Sequence, residues 1–219
     1  MLIYVDSIIQ YGVDEHTSLK FAEYMKNFPE LYTEITELIV QHITNNNPII
    51  LDVGMGPGLL SDAIRRNIPD SQVVGVDPSD TMLKIAYREG KSAYCVVKGI
   101  SENLPLCTQS VDVIVSRFSL PYWSNPEQSF NELFRILKKD GTLIMDILNK
   151  RYSPFKLALI KFHMYLRRAD ARVVRYHMDS YDIAYDFNQI SSFLEQAGFS
   201  SKFEDTGRKN WHYFVIASK

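Results

Sequence analysis

The chain has 219 residues and a net charge of −2, from 24 basic and 26 acidic side chains. That length suits one domain with a small lid and excludes two full domains. With 46% hydrophobic and 23% charged residues, it is neither disordered, nor collagen-like, nor a disulfide-stapled miniprotein. No overall positive field exists to hold nucleic acid. The two cysteines, Cys95 and Cys107, are too few for a four-ligand zinc site and suit a reducing compartment. No apolar run reaches the roughly 18 residues that span a bilayer. The opening MLIYVDSIIQYGVDEH is broken by Asp6 and lacks a charged leader, so it does not read as a signal peptide. The expectation is a cytoplasmic soluble protein with no resident metal.

In chain order, residues 1–47 are helix-prone, notably Pro29 to Ile43, and precede the first strand. Pro48 to Gly54, Gln72 to Asp77, Ala93 to Val97, Val111 to Ser116 and Thr142 to Leu148 are short and rich in Val, Ile and Leu. Near-continuous apolarity over such lengths predicts strands buried on both faces, as in a parallel sheet. Helix patterns separate them: Pro57 to Asn67, Ser79 to Glu89 with Gly90 as its cap, and Pro126 to Lys139 before a turn at Asp140-Gly141. Phe187 to Ala197 predicts a further helix ended by Gly198. Phe199 to Glu204 and Trp211 to Ser218, joined through Asp205 to Asn210, read as a closing hairpin. Strand and helix alternating in this way predict an α/β, Rossmann-like, doubly wound sheet of seven strands with the last antiparallel.

The expected organisation is one domain in four parts: a helical lid (1–47), a cofactor-binding core (48–149), a helical cap inserted after the fifth strand (150–186), and a C-terminal helix and hairpin (187–219). Insertions at the carboxyl ends of strands are where α/β proteins build substrate sites. From Lys150 to His177 eight basic residues face only Asp170, a local charge of +7, which leaves −9 for the remainder. On a helical wheel Phe155, Leu159, Phe162 and Leu166 share one face, and Leu157, Ile160 and Met164 lie nearly opposite. Two apolar faces predict burial on two sides, by the sheet domain and by the lid, a partner subunit or a membrane interface through residues 154–168.

The most informative stretch is Leu51-Asp52-Val53-Gly54-Met55-Gly56-Pro57-Gly58. A buried strand runs into a glycine turn and then a helix, and Gly54 and Gly56 allow backbone to approach a ligand closely. The spacing is G-x-G-x-G, with Leu59 where a dinucleotide fingerprint would have its last glycine. Asp52 stands two residues before the first glycine, where a carboxylate repels phosphate and attracts an ammonium or sulfonium. That pattern favours a cationic nucleoside over a dinucleotide. Asp77 closes the second strand 23 residues after Gly54, the place of an acidic side chain that accepts ribose hydroxyls. The alternative role, which strand-end location and spacing disfavour, is to cap the helix that Pro78 and Ser79 begin.

ILDVGMGPG, VVGVDPSDTML, VKGISENLPLCTQSVDVIVSRFSL and ELFRILKKDGTLIMD, in that order, resemble a class I S-adenosylmethionine-dependent methyltransferase over about residues 48–149. The chain is most similar to the group that includes the ubiquinone and menaquinone C-methyltransferases. The resemblance implies that Asp52, Gly54, Gly56 and Gly58 hold the methionine portion of S-adenosylmethionine, Asp77 the ribose, and Pro78 the adenine face. It implies that Ser101 offers its backbone amide to the adenine, and that Ser116 and Arg117 lie beside the methyl donor. Where the group has an aspartate for the adenine amino group, this chain has Ile100, which accepts no hydrogen bond. The leading segment commonly folds over the cofactor, and Tyr32, with Tyr24 and Phe28 near it, is the candidate capping aromatic. Tyr122 and Trp123 read as pocket wall and core packing.

Methyl transfer from an activated sulfonium needs alignment and exclusion of water, and for some acceptors a base. His177, beside Tyr176, Tyr181 and Tyr185, is the one candidate base, with a structural role as the alternative. The expected acceptor is a small apolar or anionic molecule, with nucleic acid disfavoured. The alternatives are a cofactor-binding protein without transferase activity and an RNA or protein methyltransferase using the basic insertion.

Overall fold

The computed structural model describes residues 14–90, 94–205 and 211–219. The expected strand residue Ala93, most of the hairpin link and the opening MLIYVDSIIQYGV lie outside them. Two helices lead: α1 (Glu15–Met25), whose N-cap Asp14 accepts a hydrogen bond from the Thr17 amide at 3.1 Å, and α2 (Glu30–His42). The core then alternates β1 (Ile49–Val53), α3 (Leu59–Asn67), β2 (Gln72–Asp77), α4 (Asp80–Gly90), β3 (Cys95–Lys98) and β4 (Val111–Arg117). After a short 3-10 turn at Leu120–Tyr122 come α5 (Pro126–Ile136) and β5 (Leu137–Leu148). The insertion forms α6 (Pro154–Leu166) and α7 (Ala171–Asp182), and α8 (Phe187–Ala197), β6 (Ser200–Asp205) and β7 (His212–Ser218) complete the chain.

The seven strands form one sheet in the order β3-β2-β1-β4-β5-β7-β6. Pairings among β1 to β5 are parallel, and β7 runs antiparallel to both β5 and β6, as the alternation predicts. Helices cover both faces, so the central strands are apolar almost throughout. Leu51, Val53 and Ile114 pack with Phe130, Leu133, Ile190 and Leu194 from α5 and α8. Ile50, Val113 and Val115 pack with Ile35, Ile39, Leu60 and Ile64 from α2 and α3 on the other side. Chain order reverses between β1 and β4, which opens a crevice at the carboxyl ends of these strands.

Two expectations need correction. The helix predicted to Lys139 ends at Ile136, and β5 begins at once with Leu137. The Gln109 and Ser110 amides donate to the last helical carbonyls, Arg135 O at 3.0 Å and Ile136 O at 2.9 Å. That interaction draws Leu137 into register with Val111, and the ladder then skips before Thr142 meets Val113. The helix predicted from Pro57 starts at Leu59, with Gly58 as its N-cap at φ +82°. On the cap helix α6, Met164 is buried and Leu157 and Ile160 are half-buried against the protein, whereas Phe155, Leu159, Phe162 and Leu166 are exposed, so the lid does not cover that second face.

Gly58 is a packing position. A Cβ there would strike the Tyr94 hydroxyl and press on Ala86 of α4, and φ +82° disfavours any L side chain. Gly58→Ala is therefore expected to destabilise the protein by about 2 kcal/mol, read as a lower denaturant midpoint at unchanged slope.

Candidate functional site

A cavity of about 1030 Å³ lies at the carboxyl edge of the sheet, at the upper end of the range for small-molecule sites. Its floor is built from loops that follow strands. Gly54 and Gly56 come after β1, Pro78 and Ser79 after β2, Gly99 to Glu102 after β3, and Phe118 and Ser119 after β4. The roof comes from Phe21, Tyr24 and Phe28 of the leading helical segment and from Ile160, Met164 and His177 of the cap. The two roof pieces touch, with Phe21 edge-on to Tyr176 at 5.5 Å and Arg167 over the Phe28 ring at 5.4 Å.

The glycine loop is held from beneath by β2. Gly54 N and Met55 N both donate to Val76 O, at 2.8 and 3.1 Å. Gly56 N donates to Asp77 Oδ2 at 2.9 Å, while Asp77 Oδ1 accepts from Ser79 N at 2.9 Å. Asp77 thus folds the turn that leads into α4, whose first-turn cap is Ser79 Oγ, accepting from Met82 N at 3.3 Å, and each Asp77 oxygen retains a further acceptor site. Burial pushes its carboxyl above the ordinary range, with the Ser79 and Gly56 amides pulling it back. The glycines divide their work. Gly54 lacks a Cβ because Ser119 occupies that space, whereas a Cβ on Gly56 would meet nothing and project into open space.

Asp52 is almost fully buried at the end of β1, and its Oδ2 accepts from Ser61 Oγ at 2.7 Å. Desolvation drives its pKa up to about 7, with the hydrogen bond from Ser61 opposing and neighbouring Asp77 reinforcing the rise. Asp52 is thus poised between charged and neutral near physiological pH and would be pulled into the charged form by a nearby cation.

Of the residues singled out in the sequence, Tyr32, Asp52, Gly54, Gly56, Asp77, Pro78, Ile100, Ser101 and His177 line the cavity. Gly58 and Ser116 do not. Gly58 turns toward Tyr94, and the buried Ser116 hydroxyl donates to Val53 O at 3.0 Å, bracing β4 against β1. Ile100 is 47% exposed on the cavity rim. Beside it, Glu102 is buried, accepting from Ser101 Oγ at 3.1 Å and from Asn125 N at 2.9 Å. Tyr122 lines the wall, stacked on Tyr176 at 5.1 Å, and Trp123 packs edge-on to Phe130 in the core while bordering the cavity. His177 is kept neutral by burial, its pKa lowered to about 4, and among the described residues its ring nitrogens have no hydrogen-bond partner.

One group of charges escaped the sequence reading. Arg117 Nη1, at the end of β4, lies 2.7 Å from Asp146 Oδ2 on β5, and Asp146 Oδ1 lies 2.6 Å from His212 Nδ1 on β7. The same Nη1 donates to Leu31 O at 2.6 Å, and the guanidinium lies over the rings of Tyr32 and Phe118 at 5.2 and 4.4 Å. Only 7% of the Arg117 side chain is exposed, and its Nε and Nη2 are buried without a partner beside the cavity. The aspartate within the apolar run TLIMDIL was the one available signal. Its partner histidine is 66 residues away in the chain.

A Rossmann-like sheet of this order, with a glycine loop and an acidic β2 terminus facing one crevice, is the arrangement of a nucleoside-binding α/β fold. A family model described as "Methyltransferase domain" matches residues 51–145. A demethylmenaquinone methyltransferase from Thermotoga maritima is 29% identical over 182 residues, covering 78% of this chain and 79% of that protein. A chloroplastic 2-methyl-6-phytyl-1,4-hydroquinone methyltransferase from Spinacia oleracea is 31% identical over 100 residues, covering 45% of this chain and 29% of that one. The fold matches a SAM-dependent methyltransferase from Aquifex aeolicus with a TM-score of 0.64 at 16% identity, over 86% of this chain and 97% of that one. The chain is similar to class I S-adenosylmethionine-dependent methyltransferases, among them the ubiquinone/menaquinone C-methyltransferase group, and these likenesses support an S-adenosylmethionine-dependent methyltransferase. They do not favour a cofactor-binding protein without activity.

The raised Asp52 carboxyl makes stability depend on pH. Unfolded, Asp52 ionises near pH 3.9, but in the folded state near pH 7, so its contribution favours folding at acid pH and is lost as pH rises between those values. Without added ligand, Asp52→Asn is expected to be more stable than the parent at pH 8 by on the order of 2 kcal/mol. The gap should narrow on acidification and close near pH 4, as followed by thermal unfolding across that range.

Proposed function

We propose that the cavity holds S-adenosylmethionine over the glycine loop and presents its methyl group to a reduced quinone or a similar hydroxylated ring with an apolar tail. The fit to the cofactor rests on three features of the chain itself: the open space above Gly56, two buried carboxylates with raised pKa, and a backbone amide loop fixed by β2. Asp52 and the Gly54–Gly56 backbone would hold the methionine ammonium end, with Asp77 accepting the ribose hydroxyls through its unused lone pairs. Pro78, Ile100 and Ser101 would flank the adenine, and Tyr32 would close over the cofactor. When bound, S-adenosylmethionine supplies a methyl group already activated on sulfonium, so the chain's own task is alignment and exclusion of water.

The observation that carries the acceptor reading is the other half of the cavity. Phe118, Tyr152, Leu159, Ile160, Met164 and Trp211 form an apolar wall beside Arg117, whose buried Nε and Nη2 have no hydrogen-bond partner. A ring oxygen fits there, because a buried guanidinium edge left unmatched is costly and a phenolate would satisfy it. His177, neutral above about pH 4, can accept a hydrogen bond from a second hydroxyl and so orient the ring. Its low basicity suits it to orienting that hydroxyl and not to storing the proton. Relatives named for menaquinone and hydroquinone methylation support the same class of acceptor. An RNA or protein acceptor has no such apolar, enclosed wall to explain.

Calorimetry should show S-adenosylmethionine and S-adenosylhomocysteine binding with proton release below about pH 7, as a nearby ammonium drives Asp52 into its charged form. Transfer of labelled methyl should follow with a demethylated hydroquinone and fail with its oxidised form. Absence of binding at millimolar ligand sinks the cofactor placement, and binding without transfer to any hydroquinone sinks the acceptor.

Ile100→Asp restores an acceptor at the exposed rim beside Ser101. It should tighten S-adenosylmethionine binding about tenfold, the worth of one hydrogen bond of about 1.4 kcal/mol. An unchanged dissociation constant would place the adenine elsewhere.

A further inference from the structure

Half of the large hydrophobic side chains exposed among the described residues sit on one 13-residue helix, α6: Phe155 (73%), Leu159, Phe162 (61%), Tyr165 and Leu166 (64%). At 100° per residue they span an arc of about 120° directly opposite the Leu157, Ile160 and Met164 face that packs onto the protein. Lys161 bounds that arc on one side and Lys156 and His163 bound it on the other, with Arg167 and Arg168 beyond the C-terminal end. Among the described residues none of these lysines and arginines is in an ion pair with an acidic group. Residues 150–177 carry +7 against −9 for the remainder, so a protein with net charge −2 is polarised along the chain.

We propose that the outer face of α6 is a docking surface for an anionic lipid bilayer. An apolar strip flanked by long cationic side chains is the arrangement that lies in a headgroup layer: the rings and leucines enter the acyl boundary while the lysine and arginine stems reach up to phosphates. Charge complementarity selects the occupant. A second copy of this chain across a two-fold axis would set Lys156 and Lys161 against the same cations of its partner, whereas anionic lipid attracts each of them. The strip is also continuous with the cavity, because Leu159 is at once half exposed on α6 and part of the cavity lining. The bilayer contact would therefore lie at the mouth of the site, giving a lipid-soluble acceptor a dry path in. That last point rests on the acceptor reading above; the docking itself does not.

The test needs neither cofactor nor acceptor. The protein is mixed with sedimentable vesicles of phosphatidylcholine, with or without phosphatidylglycerol, across a salt series. Expected are pelleting with phosphatidylglycerol vesicles, release at high salt, and little binding to phosphatidylcholine alone. Phe155→Ser, Phe162→Ser and Leu166→Ser combined, none of which lines the cavity, should weaken pelleting at least about tenfold while S-adenosylmethionine binding is kept. Lys161→Gln with Arg168→Asn, the asparagine chosen for the positive φ at Arg168, should weaken pelleting with the apolar strip intact. A protein that stays in the supernatant with phosphatidylglycerol at low salt overturns the proposal. So does equal binding by the variants, or a dimer in sedimentation equilibrium that the apolar triple variant dissociates. Because cofactor binding is read separately, failure of docking and failure of the cavity reading give different results.

Discussion

The site depends on how the end of β2 holds the loop that follows β1. A glycine loop with three left-handed residues would sample many conformations on its own, since each glycine loses more freedom on ordering than any other residue. Val76 O takes two of its amides and the Asp77 carboxylate takes a third, while Asp77 also folds the turn that leads into α4. One strand end thereby positions two loops and places a buried carboxylate between them. Buried backbone donors are costly when unpaired, so the loop has few alternatives once the parallel β1–β2 register is made.

A second constraint ties the acceptor side together. Arg117, Asp146 and His212 come from three neighbouring strands and share buried ionic contacts, and Arg117 reaches out to the carbonyl of Leu31 in the lid. Burying such charges is expensive, and the cost is offset only when each has close partners. The result is a rigid post that fixes where the lid meets the sheet. It also limits the freedom of the Arg117 side chain, which borders the cavity.

Much of this was legible from local pattern. Runs such as ILDV and VDVIVS are apolar at most positions because helices cover both faces, and that signature is independent of register. α8 and β2 fall where the periodicity puts them, bounded by Gly198 and Asp77. The end of α5 was not legible, because Leu137 looks like one more apolar helix position until the Gln109 and Ser110 amides capture the last carbonyls. Nor was the role of Gly58, which answers to Tyr94, 36 residues away in sequence.

The sequence by itself determined the sheet, its carboxyl-edge crevice and the acidic and glycine residues that line it. These follow from periodicity and from neighbours close along the chain. Only the tertiary structure decided that Ser116 and Gly58 brace the fold outside the cavity, that Arg117, Asp146 and His212 converge, and that the outer face of α6 is uncovered. Each of those depends on which distant side chains meet, and meeting is set by packing of strands and helices against one another, which no local spacing encodes.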